Sequence, residues 1–272
     1  MRILVSTDIE GVAGVFHAQQ VTAGNPEYER ARAWMTGEAN AAVSGAFAGG
    51  ADEVLVNDSH GGYRNLLPDG IDERARLVLG KPRYLGMMGG LEVRCDAVFL
   101  VGYHSRAQGR GILAHTINGF SFARVRVNGL ELGEAGLYGA LAGELGVPVA
   151  LATGDDIFIG ETRDLFPGAR WVQTKTARGQ GSGVSLSPAA ARAAIAEAAR
   201  AAMADLGSLQ PFRIAPPLTC DLQTQTTALA DLFCMWPTLE RIDGVNLRFT
   251  VDSMQALIRT LNSLAAMSFM LR

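Results

Sequence analysis

Residues 1–62 alternate between two short apolar runs and one long helical stretch, and no other feature narrows the possible folds as much. Met1-Arg2-Ile3-Leu4-Val5 is brief, apolar and rich in β-branched residues, as a buried strand is. Asn25-Pro26 then opens a helix, with an N-cap residue type, a proline at the first helical position, and Glu27 and Glu29 at the positive end of the dipole. Tyr28, Ala31, Met35, Ala39, Ala42, Val43 and Ala46 recur with near-helical period, and Gly49-Gly50 stops the run. Val54-Leu55-Val56 is a second strand. Strand, helix, strand in that order is a βαβ unit, so the two strands are expected to be parallel.

The alternation continues. Arg76-Leu77-Val78-Leu79, Ala97-Val98-Phe99-Leu100-Val101 and Val149-Ala150-Leu151-Ala152 read as further strands, and a short helix is expected around Met87 to Leu91. Ala123 to Gly129 alternates and ends in an Asn-Gly hairpin signal. Glu134 to Leu145 reads as a helix stopped by Gly146, and Gly109 to Asn118 as a loop or irregular strand. Trp171 to Lys175 is a strand, Gly179 to Gly183 a mobile loop, and Ser187-Pro188 caps an alanine-rich helix. The proline-rich stretch from Ser208 to Pro217 marks a boundary. A strand near Leu218 to Gln223, a helix near Ala228 to Met235, a strand at Asn246 to Val251 and a final helix from Ser253 follow it. The expected fold is α/β, a mostly parallel central sheet flanked by helices, with a smaller C-terminal α+β portion. Residues 1–208 are expected to form one α/β domain and residues 209–272 a C-terminal α+β subdomain.

Composition removes whole classes of partner. A net charge of −3 with no basic block argues against nucleic acid or an anionic membrane surface. No apolar run is long enough to span a bilayer. The chain enters its first strand at once, so no signal peptide is expected. Cys95, Cys220 and Cys234 are odd in number and lack close pair spacing, which suits buried thiols in a reducing compartment, the cytoplasm by default.

Chemistry gathers where the strands stop. Asp8 and Glu10 lie at i and i+2 at the end of the first strand, a spacing that puts both on one face of an extended chain. Two such carboxylates repel unless a cation sits between them or one is protonated. Gly11 and Gly14 follow, allowing a tight turn and close approach of backbone to a ligand. Asp58 and His60 end the second strand, and His104 follows Ala97–Val101. In an open α/β sheet the site lies outside those carboxyl ends, at the topological switch point. His115 in the loop and Glu134 at a helix start complete the candidates. Asp, Glu and His together suit zinc or a similar divalent ion, and five ligands (Asp8, Glu10, His60, His104 and Glu134) with a bridging carboxylate suit two ions.

Each residue alone has a simpler reading. Asp8 and Glu10 serve equally as turn chemistry. His60 fits a turn, His115 a hydrogen-bonded loop histidine, and Glu134 the favourable end of a helix dipole. His17 reads as structural or surface, Asp155-Asp156 as a helix cap, and Met87-Met88 and Trp236 as core or interface. Gly179 to Gly183 lacks the Lys-Ser/Thr ending of a phosphate loop.

Seven stretches taken together resemble one family. They are Ser6-Thr7-Asp8-Ile9-Glu10-Gly11, Tyr28-Glu29-Arg30, Met35-Thr36-Gly37-Glu38-Ala39-Asn40, Val54-Leu55-Val56-Asn57-Asp58-Ser59-His60, Gly102-Tyr103-His104, Gly133-Glu134 and Gly154-Asp155-Asp156. They are similar to the binuclear zinc D-aminopeptidases, the DppA type from dipeptide-transport operons. The resemblance runs to about Pro188 and more weakly beyond. It implies an α/β fold, two zinc ions (Zn2+) per subunit, assembly as a homo-oligomeric decamer, and short peptide substrates with an N-terminal D-residue such as D-Ala-D-Ala. It implies that Asp8 bridges both ions, that Glu10 and His104 serve one, that His60 and Glu134 serve the other, and that His115 is catalytic. It also moves Glu134 from dipole partner to ligand. Gln223-Thr224-Gln225-Thr226-Thr227 departs from the family pattern and bears on substrate choice and assembly. The alternatives are a metal-dependent amidase or phosphoesterase on the same site, or a non-catalytic peptide-binding relative.

Overall fold

The first strand already shows the layering. Ile3 and Val5 enter one hydrophobic core while Leu4 between them enters another, the period-two alternation of a strand buried on both faces. The computed structural model describes residues 1–272. Its strands are β1 (Arg2–Thr7), β2 (Glu53–Asp58), β3 (Arg76–Val78), β4 (Ala97–Val101), β5 (Phe122–Val127), β6 (Leu130–Glu131), β7 (Val149–Asp155), β8 (Arg170–Gly179), β9 (Ser182–Ser185), β10 (Leu218–Thr224), β11 (Glu240–Arg241) and β12 (Asn246–Val251). The α-helices are α1 (Ala18–Val21), α2 (Pro26–Ala48), α3 (Glu134–Glu144), α4 (Asp156–Thr162), α5 (Pro188–Asp205), α6 (Thr227–Phe233) and α7 (Met254–Met267).

Seven strands form one sheet in the order β3-β2-β1-β4-β7-β8-β9, parallel except for the last. The chain leaves β1 in one direction through β2 and β3, then returns to place β4 on the other side of β1. That reversal is the switch point, and it opens a crevice between the carboxyl ends of β1 and β4. Helices α2 and α5 pack together on the face carrying Ile3, Val5, Val54, Val56 and Phe99. The other face, with Leu4, Leu55, Val98 and Leu100, packs toward α3, α7 and the second sheet. Helix α7 buries Met254, Leu257, Ile258, Leu261 and Leu264, a helical stripe in which each side chain contributes roughly 2 kcal/mol of burial.

The second sheet is antiparallel, in the order β11-β12-β10-β5-β6. It draws β5 and β6 from before residue 208 and β10 to β12 from after it, so the two stretches divided there share one sheet. Residues 223–227 turn from β10 into α6, and Gln225 Nε2 donates to the Gly119 and Phe122 carbonyls.

Three expectations change. The helix near Met87 is a single 3₁₀ turn, Gly86–Met88. The stretch expected to be a mobile loop is a hairpin, with β8 ending at Gly179 and β9 starting at Ser182. Gln180 and Gly181 make the two-residue connection, and the Gln180 carbonyl there accepts from the Leu113 N–H at 2.8 Å. Asn25 stands at the N-cap of α2, but its amide donates backwards to the Thr22 carbonyl and caps nothing. No helix is long and apolar enough to cross a membrane.

Candidate metal centre

Strand β1 ends at Thr7, so Asp8 and Glu10 lie in the bend that follows, beyond the extended chain. Their convergence comes from that bend. Ile9 between them is fully buried. The bend is pinned to β4 by backbone alone. The Gly11 N–H donates to the Gly102 carbonyl at 2.7 Å, and the Asp8 N–H donates to the Val101 carbonyl at 2.8 Å. A Cβ on Gly11 would lie 1.9 Å from the Tyr103 carbonyl oxygen. A Cβ on Gly102, whose φ is +72°, would lie 2.3 Å from the Asp8 backbone carbonyl oxygen. Gly11 therefore admits a neighbouring backbone where a ligand was expected.

All six candidate side chains meet in this crevice. His60 Nδ1 lies 3.3 Å from Asp8 Oδ1 and 3.0 Å from Glu10 Oε2. His104 Nε2 lies 3.4 Å from Asp8 Oδ2 and 3.6 Å from Glu134 Oε1. His115 Nε2 lies 3.5 Å from the same Glu134 oxygen. The His104 and His115 rings stack with centroids 4.1 Å apart. Asp8 thus turns one oxygen to each side of the cluster. Two sets hold donor atoms all within 4.8 Å of one another, Asp8 with Glu10 and His104, and His104 with His115 and Glu134. Glu10 accordingly faces both His60 and His104, a wider reach than the pairing implied by the resemblance.

The imidazoles are held in one pattern. Each has one ring nitrogen against a backbone carbonyl: His60 Nε2 at Val21 O, 2.8 Å; His104 Nδ1 at Ser105 O, 2.9 Å; His115 Nδ1 at Leu113 O, 2.9 Å. A nitrogen facing a carbonyl carries the hydrogen, so in each neutral ring the other nitrogen presents a lone pair toward the carboxylates. His17 supports this at one remove, because its Nδ1 accepts from Gln19 at the start of α1, the helix that ends at Val21.

Lone pairs facing carboxylates need a cation between them. Asp8 Oδ2, Glu10 Oε2 and His104 Nε2 are buried and make no hydrogen bond, even though His60 Nδ1 is near Glu10 in distance. The residues present therefore fit divalent ions bound by oxygen and imidazole. Electrostatics agrees. Burial first, then the neighbouring Glu10, raises the Asp8 carboxyl above its ordinary value. Burial would lower His60 and His104, but Glu10 and Asp8 beside the first, and Glu134 and Asp8 beside the second, outweigh it and raise both well above the ordinary imidazole value. A site that draws protons onto buried imidazoles is one that draws cations.

The loop carrying His115 is tied at several points. Leu113 and Ile117 on either side of it have φ of +54° and +60°, costly for a branched residue such as Ile117. The Ile117 N–H donates to Glu134 Oε1 at 2.6 Å, and the Ile112 N–H donates to Asp155 Oδ2 at 2.7 Å. Asp155 caps α4 as expected, its Oδ1 accepting from Phe158, and the second oxygen holds the loop as well. Asp58, grouped with the site by its position, turns away. Its carboxylate accepts from the Asn65 and Leu66 backbone.

Two supporting residues escape a sequence reading. Lys175 in the middle of β8 is 2% exposed, and its ammonium donates to the Glu10 carbonyl at 2.5 Å and the Val15 carbonyl at 2.7 Å. Burial pushes it down to about 8. Glu38 on α2 accepts from the Ala13 N–H at 2.9 Å, and burial pushes its carboxyl up to about 7. Lys175 thus holds both ends of the loop from Glu10 to Val15, and Glu38 holds its middle. Lys175 carried no local signal, whereas Glu38 lay in one of the resembling stretches.

Asp8, His60, His115 and Glu134 open onto a cavity of about 730 Å³. That is the size of a small-molecule site.

The chain matches the family model described as D-aminopeptidase over residues 1–263. It is 33% identical over 217 residues to a D-aminopeptidase of Bacillus subtilis, covering 80% of this chain and 78% of that one. A solved structure, the Zn-dependent D-aminopeptidase DppA from Bacillus subtilis, described as a self-compartmentalizing protease, superposes with a TM-score of 0.94. The identity there is 27%, over 99% of this chain and 98% of that one.

Proposed function

The chain belongs to the D-aminopeptidase family, and from that premise we propose that it is a two-zinc aminopeptidase removing an N-terminal D-residue from short peptides such as D-Ala-D-Ala. The observation that carries this reading is the convergence of Asp8, Glu10, His60, His104 and Glu134 with three of their ligand atoms buried and unpartnered. Asp8 would be the carboxylate shared by both ions, because its two oxygens face different histidines. Glu10, His60, His104 and Glu134 would supply the remaining ligands. Zinc bound there would polarise the scissile carbonyl and bring the pKa of a bound water towards about 7.

The chain's own groups supply the rest. His115 Nδ1–H is committed to the Leu113 carbonyl, which leaves Nε2 facing the cavity beside Glu134. From there it takes a proton from the attacking water and returns it to the leaving amine, or donates to the developing oxyanion. Glu134 fixes that ring's surroundings by accepting from Ile117 at the same time. The carboxylates lining the cavity favour a free N-terminal amine, the requirement of an exopeptidase.

The three cysteines are all free, which supports the cytoplasm as the location. A homo-oligomer, a decamer in the form the family resemblance implies, is proposed in line with the self-compartmentalizing relative. Zinc content and turnover of D-Ala-D-Ala against L-Ala-L-Ala test the reading. We expect two zinc ions per chain and preference for the D-peptide. A protein that binds no zinc, or turns over the L-peptide equally well, overturns it.

A further inference from the structure

We propose that Lys81 forms an anion subsite in the metal-centre cavity that receives the free C-terminal carboxylate of the peptide. This rests on the aminopeptidase reading and adds to it how the far end of the substrate is recognised. Lys81 lines the same cavity as Asp8, His60, His115 and Glu134. It is exposed there, with no ion pair and no hydrogen bond, and its contact is the Tyr63 ring, 4.5 Å from ammonium to centroid.

The neighbouring cations are occupied. Arg83 stacks on the same ring at 3.9 Å, but its guanidinium donates to Asn57 Oδ1 and the Asp58 carbonyl. Arg272 donates to Asn118 Oδ1 at 3.1 Å. Lys81 is therefore the cavity cation whose donors are all free. Desolvation by the surrounding cavity wall, then the Arg83 charge, lowers its pKa, so an arriving anion offsets an unfavourable like-charge pairing.

Charge balance points the same way. Asp8 and Glu134 are the carboxylates of this cavity, and the metal centre uses both. The remaining fixed charges, Lys81, Arg83 and Arg272, are all positive. A short peptide carries one positive end and one negative end. With its amine at the carboxylate-rich centre, its carboxylate lies toward the cationic wall, and an ammonium there gives a charge-assisted hydrogen bond. A peptide whose C-terminus is masked loses that contact and leaves the ammonium unpaired.

The test compares D-Ala-D-Ala with its C-terminal amide on the zinc-loaded full chain, for the wild type, Lys81→Met and Lys81→Arg. We expect the wild type to prefer the free acid by about 10- to 100-fold in kcat/KM, chiefly through KM. Lys81→Met should bring that ratio close to one, and Lys81→Arg should keep most of it. Zinc content and circular dichroism check folding, and Lys81→Gln provides a second neutral variant. A ratio unchanged in both neutral variants, or a wild type indifferent to the amide, overturns the subsite while leaving the aminopeptidase reading intact. A zinc-loaded wild type that cleaves neither peptide overturns both.

Discussion

Replacing Glu38 with Gln removes a buried acid while keeping its shape and its acceptor for the Ala13 N–H, 2.9 Å away. Glu38 is 1% exposed, and its second oxygen has no partner. Burial is the main cause of its raised pKa, opposed in part by the Ala13 hydrogen bond and the charges of Lys175 and Arg192. The carboxyl moves from 4.5 to about 7, a gap worth about 3.5 kcal/mol at about 1.4 kcal/mol per pH unit. Its sign follows from proton counting. Between these two values the folded chain holds a proton that the unfolded chain has released, so the stability this group contributes is present below pH 4.5 and lost as pH rises through 7. Between pH 5 and pH 8 the loss amounts to about 2.5 kcal/mol. Denaturant unfolding of zinc-loaded wild type and Glu38→Gln across that range measures it, since titration of the metal ligands is common to both and cancels in the difference. The wild type should lose about 2.5 kcal/mol relative to the variant as pH rises. Stability curves that run parallel, within about 0.5 kcal/mol, would refute the claim that this carboxyl is buried without compensation.

Two further predictions concern the site itself. Lys175→Met keeps the packing but leaves the Glu10 and Val15 carbonyls without their charged donor, so zinc affinity should fall by about 10- to 100-fold in a chelator competition. Unchanged affinity would show that the Glu10 loop holds its shape without the lysine. His115→Ala should abolish turnover while zinc stays bound, because its ring nitrogen faces the cavity and Asp8, Glu10, His60, His104 and Glu134 remain. An active variant would remove His115 from the mechanism.

Parallel strands made much of this site readable in advance. Polar residues at the ends of β1, β2 and β4 point to one crevice because neighbouring parallel strands end on the same side. The rule is coarse, however. It grouped Asp58 with His60, and only the loop through Asn65 and Leu66 reveals that Asp58 is consumed by backbone N–H groups. Glu134 was legible only through resemblance, since an acid in a helix's first turn satisfies the dipole on its own. Lys175 was not legible. A lone lysine in a strand looks solvated, and its burial depends on carbonyls about 160 residues away in the chain. The same holds for the second sheet, where β5 pairs with β10, a strand that follows every strand of the parallel sheet in the chain. Periodicity reports local pairing and is silent about such distant partners.

The contact between Gly11 and the turn at Gly102 also bears on how sequences of this kind can vary. Each glycine fills its place because the other strand's backbone occupies the space a side chain would need. Neither position can be varied by changing the other, since backbone, unlike a side chain, cannot be trimmed to make room. A mutational library spanning residues 8–15 to alter metal preference would lose every member that touches Gly11, whatever its ligands. The same library with Gly11 and Gly102 held constant keeps the crevice closed behind Asp8 and leaves its neighbours open to selection.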